Sequence, residues 1–184
     1  GTDRCYNIER ALSLVNDSVV APGADWNWND VVGECSEETG YRKSTVISNG
    51  VDVSDYGGGI CNAATGVFNA AYEACLPIVE RTNHSLYLPD YPTGRDATVS
   101  WDTPTLIFHN DTDHYILVHV DMDGSYMTVS IWGTSTGRTC TSKNSEWNLN
   151  EDGSKSITNY RDVLDKDGNR LWEDSFYSFY RGDG

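Results

Sequence analysis

Three consecutive glycines running straight into an apolar stripe at helical spacing constrain this chain more than any other feature. The run is Gly57-Gly58-Gly59-Ile60-Cys61-Asn62-Ala63-Ala64-Thr65-Gly66-Val67-Phe68-Asn69. Ile60, Ala64, Val67, Phe68, Ala71 and Cys75 recur every three or four residues, which predicts a helix of about four turns with one buried face. On that spacing Cys75 points into the core, while Cys61 falls at the edge of the stripe, packed on one side and open on the other. A helix start carries partial positive charge from N–H groups without intrahelical partners, so a thiol held there ionises below its usual pKa of about 8.5. The glycines clear side chains away from the sulfur and let another chain approach the backbone. Cys61 is therefore a candidate nucleophile at the mouth of a cleft. Its alternative is a small buried hydrophobe, a role that cysteine often fills.

The 184 residues suit one domain, and 38% hydrophobic residues with eleven tyrosines and six tryptophans can build a core. A net charge of -15 argues against nucleic acid and anionic membrane surfaces, because the summed field repels polyphosphate. No run of about 20 apolar residues is present to span a bilayer, and no signal-peptide pattern precedes Gly1. Five cysteines are an odd number: with Cys61 free, Cys5, Cys35, Cys75 and Cys140 allow two disulfides in three connectivities. Bridges of that kind would imply an oxidising, extracytoplasmic setting, and five reduced thiols are the alternative.

Asn7 is placed to cap a first helix through about Asn16, with Ile8, Ala11, Leu12 and Val15 inward. The stretch from Ala21 to Asn29 reads as an irregular loop whose Trp26 and Trp28 either line a groove or pack beneath it. Thr45 to Ile47 and Val51 to Val53 read as strands around an Asn49-Gly50 turn. After the Cys61 helix the pattern is all strand: Ile78 to Leu88, Ala97 to Trp101, Leu106 to His109, Tyr115 to Met122 and Tyr126 to Trp132. A last pair covers Ile157 to Asp165 and Arg170 to Phe179, with turns at Asp123-Gly124 and Asp167-Gly168. Thr134 to Lys155 reads as a long surface loop. The expected class is α+β: two helices on a mostly antiparallel sheet, in one domain over residues 1–184. Its helix and loop part covers about 1–76 and its β-rich part about 77–184. No metal site or cofactor is expected. Asp165-Lys166-Asp167-Gly168 lacks the first calcium ligand, since Val163 stands there, and His109, His114 and His119 alternate poorly for zinc.

Taken in order, Pro22-Gly23, Val32-Gly33, Gly40-Tyr41, the Gly57 to Cys61 run, Glu80-Arg81, His84-Ser85, Gly94, Asp96-Ala97-Thr98, Phe108 and Asn110 resemble a VanW domain, from about Asn7 to Gly133. Such domains occur in Gram-positive cell-surface proteins and glycopeptide-resistance clusters. The resemblance implies peptidoglycan L,D-transpeptidase chemistry with the cysteine as nucleophile, in an extracytoplasmic protein whose parent is secreted or membrane-anchored. The implied partners are peptidoglycan stem peptides, and a monomer is expected. Asn62 departs from the glutamine usual after the cysteine, and Trp26 and Trp28 stand where phenylalanines are usual.

Acyl transfer on a thiolate needs a base, a group orienting the base, and donors for the oxyanion. His84 is the candidate base; its strand parity matches Ile78, Leu86 and Leu88, and a satisfied core histidine is the alternative. Asp96 either orients His84 or caps the turn at Gly94-Arg95. Arg81, opposite His84 by parity, either binds a substrate carboxylate or forms a structural ion pair. The Cys61 and Asn62 N–H groups are the expected oxyanion donors, beside Gly58 and Gly59, and Ser85 joins the expected substrate-binding set. The same Cys61–His84 pair would serve an L,D-carboxypeptidase or amidase. A different function class is a non-catalytic wall-binding module that stacks sugars on Trp26, Trp28, Tyr87 and Tyr91.

Overall fold

Thr2, rather than Asn7, caps the first helix in the computed structural model, which describes residues 2–48, 51–124 and 126–182. In α1 (Asp3–Val15) the Thr2 hydroxyl accepts the Cys5 N–H at 3.3 Å, and Asn7 lies fully buried within the helix. The Asn7 amide donates to the Arg42 and Gly58 carbonyls at 2.9 and 3.2 Å, and its oxygen accepts the Arg42 N–H at 2.8 Å. Capping is a local preference, and here three tertiary hydrogen bonds to buried backbone outweigh it. The consequence is functional, because Asn7 ties α1 to the glycine run.

The Ala21 to Asn29 stretch is more regular than its composition suggests. After β1 (Ser18–Val20) it forms β2 (Asp25–Asn27) and then a short helix, α2 (Trp28–Val32), whose first turn is bonded by the Asn27 side chain. Trp26 and Trp28 are 3% and 1% exposed, so they pack in the core and do not line a groove. Trp26 stacks on Phe108 at 5.2 Å and donates from Nε1 to Ser18 Oγ at 2.9 Å. Both indoles are anchors for the β2 strand.

An antiparallel hairpin follows, β3 (Lys43–Ser48) with β4 (Val51–Tyr56); its expected Asn49-Gly50 turn lies outside the described residues. Next comes α3 (Ile60–Glu73). Its glycine approach is dictated by packing as well as by backbone angles. Gly59, at the N-cap, has φ +104°, a value that favours glycine, and a Cβ on Gly58 would sit 2.1 Å from Ser44 Oγ and 2.6 Å from the Thr45 carbonyl. Ala63, Ala64, Val67, Phe68 and Ala71 of α3 are fully buried, as the periodicity predicts. Gly66 lets Met127 and Val129 press against the helix. The helix ends at Glu73, so Cys75 lies beyond it at φ +58°, buried through a disulfide to Cys140 and not through the helical stripe.

The remaining strands are β5 (Ile78–Glu80), β6 (Ile107–His109), β7 (Ile116–Asp123), β8 (Tyr126–Trp132), β9 (Thr139–Asn144), β10 (Asn148–Leu149), β11 (Lys155–Leu164) and β12 (Arg170–Tyr180). Every pairing is antiparallel: β1-β7-β8, β2-β6-β5, β3-β4, and β10-β11-β12 with β9 also on β11. The α+β class stands, with three helices among the described residues where two are expected and several small sheets in place of one. The polar span from Thr134 to Lys155 contains β9 and β10, and so is not simply a loop. Two expected strands shrink: Ile78 to Leu88 stops at Glu80, and Ala97 to Trp101 keeps only a single bridge, Thr82 to Thr98. Asp165 builds the expected hairpin turn by accepting the Asp167 and Asn169 N–H groups at 2.8 and 2.9 Å.

Sheet and helix are locked at the far end of α3. Arg161 of β11, wholly buried, donates to the Tyr72 and Leu76 carbonyls at 2.8 and 2.9 Å, which satisfies groups that a helix C-terminus leaves open. Its charge is answered by Asp174 of β12, at 2.9 Å from Nε. The Cys75–Cys140 bridge fixes the same end to β9 and closes a separation of 65 residues. Replacing Cys140 by serine should cost about 2–4 kcal/mol, read as a lower urea midpoint. An unchanged midpoint would mean that the bridge adds nothing to the fold.

Candidate functional site

Cys61 is the second residue of α3, half-buried, with its sulfur 3.5 Å from Thr98 Oγ1 and 3.6 Å from the Val99 carbonyl. It opens on a cleft of about 1010 Å³ whose walls come from α1, the chain before α3, and the segments around His84 and Ser100. Trp101, Tyr91 and Tyr56 supply its aromatic lining, the place that Trp26 and Trp28 do not fill. Gly59 and Ser85 also line it, whereas Gly58 is packed under β3.

His84 and Asp96 meet because of strand register, even though neither belongs to a full strand. The Thr82–Thr98 bridge is antiparallel, so stepping two residues forward on one side and two back on the other sets His84 opposite Asp96. His84 Nδ1 lies 2.7 Å from Asp96 Oδ2, and the same oxygen accepts the His84 backbone N–H at 2.7 Å. With Nδ1 held on the carboxylate as a donor, Nε2 is the nitrogen left for the thiol. Tyr91 stacks on the imidazole at 5.4 Å.

Asp96 is saturated with donors. Its Oδ1 accepts from Tyr180 Oη at 2.7 Å and from Arg81 Nη2 at 3.0 Å, and its carbonyl accepts Arg81 Nε at 2.6 Å. Arg81 continues to Ser178 Oγ at 2.9 Å and is buried, so it forms the structural ion pair and is not open to a substrate carboxylate. Parity placed it on the opposite face from His84; β5 ends at Glu80 and only the isolated Thr82–Thr98 bridge follows, so strand alternation does not hold from Arg81 to His84, and the guanidinium reaches Asp96. Tyr180 and Ser178 escape the sequence reading. They stand at the end of β12, Tyr180 being 84 residues from Asp96, and the alternation marks a strand there without naming a partner.

Burial opposes ionisation at all three groups, and their mutual contacts overcome it. Burial alone would raise the Cys61 pKa, yet the hydrogen bond and charge of His84, with the Thr98 hydroxyl, bring it below the ordinary thiol value. Burial would lower His84, but bonds to Asp96 and Cys61 hold it up to about 9. Asp96 is kept ionised against burial by His84, Arg81 and Tyr180. The arrangement supports a thiolate beside an imidazolium at neutral pH. Of the expected oxyanion donors, the Asn62 N–H is engaged with the Gly59 carbonyl at 2.9 Å, whereas the Cys61 N–H has no hydrogen-bond partner among the described residues. The Asn62 side chain instead approaches the Tyr91 hydroxyl.

Two further thiols are free. Cys5 is exposed, and Cys35 sits in the same cleft against Gly57, where burial pushes its thiol up to about 11. One disulfide is therefore present where two were open as an expectation. Among the described residues no cluster of metal-ligating side chains occurs, and no helix is long and apolar enough to cross a membrane.

A family model described as "VanW like protein" matches residues 3–132. The chain is 34% identical over 131 residues to "Uncharacterized protein YoaR" of Bacillus subtilis (strain 168), covering 71% of this chain and 43% of that protein. It is 25% identical over 128 residues to "Vancomycin B-type resistance protein VanW" of Enterococcus faecalis (strain ATCC 700802 / V583), covering 66% of this chain and 46% of that protein. The chain thus spans less than half the length of either relative. No solved structure matches. Cys61, His84, Asp96, Arg81 and Thr98 all lie inside the matched segment, and Ser178 and Tyr180 lie outside it.

The pKa shifts have opposite signs in stability. His84 stabilises the fold fully below its unfolded value of about 6.5, and that contribution is lost as pH rises through about 9. Cys61, lowered in the fold, stabilises above its unfolded value and loses that contribution as pH falls through its folded one. As pH rises the two contributions change in opposite directions, so the pair is read through sulfur reactivity and not through bulk stability. Alkylation of Cys61 by iodoacetamide, followed by peptide mass mapping to separate it from Cys5 and Cys35, should show a midpoint below the ordinary thiol range. His84→Ala should move that midpoint upward past it. Equal midpoints in the two proteins would refute the ion pair.

Proposed function

This chain belongs to the VanW-like family, and from that premise we propose that it is a cysteine-dependent peptidoglycan L,D-transpeptidase, joining stem peptides through a thioester on Cys61. One observation carries the reading. A cleft-facing thiol at the head of a helix lies beside an imidazole that is itself hydrogen-bonded to a buried, ionised carboxylate. That is the environment in which cysteine becomes a nucleophile near neutral pH.

In the proposed reaction the Cys61 thiolate attacks the carbonyl carbon of the third residue of a stem tetrapeptide and forms a C–S bond. The tetrahedral intermediate collapses by breaking the C–N bond, and the His84 imidazolium gives its proton to the departing amine of the terminal D-alanine. An amine of a neighbouring stem then attacks the thioester, passes its proton to neutral His84, and expels the sulfur as thiolate. Water in place of the amine makes the same site an L,D-carboxypeptidase. Asp96 keeps the ring oriented and stabilises its charge. The unpartnered Cys61 N–H is the first oxyanion donor in this reaction, and the Thr98 hydroxyl, 3.5 Å from the sulfur, is the second.

An extracytoplasmic location fits the Cys75–Cys140 disulfide. The non-catalytic wall-binding reading has less support, because burial of Trp26 and Trp28 removes two of its four stacking residues and Tyr91 packs on His84.

Muropeptides with tetrapeptide stems, incubated with the protein and read by mass spectrometry, should yield dimers joined through the third residues together with free D-alanine. Cys61→Ala should give none, and His84→Ala should be slower by a factor of about 100 to 10,000. Turnover by Cys61→Ala would overturn the mechanism, and shortened monomers alone would assign hydrolysis.

A further inference from the structure

With Arg81 locked on Asp96, the carboxylate ligand of the site has to be sought elsewhere, and the cleft offers a single lysine or arginine among its lining: Arg4 of α1. The chain carries -15, and the charged side chains on the remaining cleft wall include Glu34 and Asp55. Apart from the His84 imidazolium, which is engaged by Asp96 and Cys61, Arg4 is the positive side chain that a carboxylate entering this cleft meets.

Arg4 packs against the glycine that precedes α3 and is not spent on a protein partner. Its stem crosses Gly59, two residues before Cys61, so closely that a Cβ on Gly59 would lie 2.8 Å from Arg4 Cγ. The missing side chain at Gly59 is thus what admits the arginine. Its charge reaches the Tyr91 hydroxyl, on the ring that stacks against His84 and that also feels Cys61. Among the described residues the Arg4 guanidinium makes no ion pair and no hydrogen bond, unlike Arg42, Arg81, Arg95, Arg138, Arg161 and Arg170, which all do. A planar fork of donors lining the same cleft as the thiol, left open, suits a carboxylate.

We infer that Arg4 binds the free terminal carboxylate of the donor peptide, one residue beyond the carbonyl that Cys61 attacks, so that the site selects peptides ending in a charged D-amino acid over amidated or extended ones. The inference rests on the acyl-transfer reading for which carbonyl is attacked. Arg4 is a specificity-determining residue, and the bond-making steps remain those of Cys61 and His84.

The test uses two synthetic stem tetrapeptides that differ only at the last group, a D-alanine acid and a D-alanine amide. Binding of each is measured by titration calorimetry to Cys61→Ala, which cannot turn them over, and to the same protein with Arg4→Gln or Arg4→Lys added. The acid should bind about 10- to 100-fold more tightly than the amide. Arg4→Gln should erase that preference while leaving amide binding within about 3-fold, and Arg4→Lys should keep part of it. Equal affinities for acid and amide, or a preference that survives Arg4→Gln, would overturn the assignment. Turnover by the wild type, followed with the same two peptides, separates the two ideas. Acid-selective binding without any turnover would contradict acyl transfer and leave Arg4 standing, whereas turnover indifferent to the terminal charge would do the reverse.

Discussion

Asp96 is a buried carboxylate with four donors, and the rest of the site is arranged by how it is satisfied. A carboxylate taken out of water costs several kcal/mol unless its oxygens are matched, and Asp96 is matched by Arg81, Tyr180, and both the ring and the backbone of His84. The donors come from two stretches of chain. Arg81 follows β5, Tyr180 ends β12, and His84 follows the single Thr82–Thr98 bridge. Satisfying one charge therefore docks the last strand of the protein onto the segment that carries the imidazole. Removing any donor leaves the charge short, which is why a tyrosine far from the cleft can govern its geometry.

The other half of the site depends on backbone approach. α3 begins where Gly58 rests directly on β3 and Gly59 turns the chain, and Asn7 bonds to Gly58 from α1. This fixes the sulfur relative to the His84 and Thr98 segment, and the Thr65 hydroxyl, which donates to the Ala97 carbonyl at 3.2 Å, holds the two together one helical turn further on. The thiol and the imidazole are thus brought together by two independent scaffolds, one of glycine packing and one of charge satisfaction.

What could be read from the sequence followed from periodicity. The α3 stripe, β6, β7, β8 and the β11–β12 hairpin carry repeats of 3.6 or 2, and burial follows those repeats. Cys61, His84 and Asp96 were legible as chemistry-bearing residues at one edge of those elements. What could not be read was decided by partners distant in sequence. Asn7 looks like a cap until Arg42 and Gly58 surround it. β9, Thr139-Cys-Thr-Ser-Lys-Asn144, has no alternation because it is mostly exposed and is held by pairing to β11. The five-residue α2 is too short to show a period, so Trp28 reads as loop while lying in the core. Arg81 could be structural or functional until its acid was known, and Tyr180 had no local signal at all.

The account centres on a protonated His84 held between Asp96 and the Cys61 sulfur. Its most direct measurement is a titration of the histidine ring resonances by nuclear magnetic resonance, with His84 assigned by its absence from the spectrum of His84→Ala. The account requires His84 to titrate near pH 9, and to fall toward the ordinary histidine value in Asp96→Asn. A His84 resonance that titrates near 6.5 and is unmoved by Asp96→Asn would contradict it.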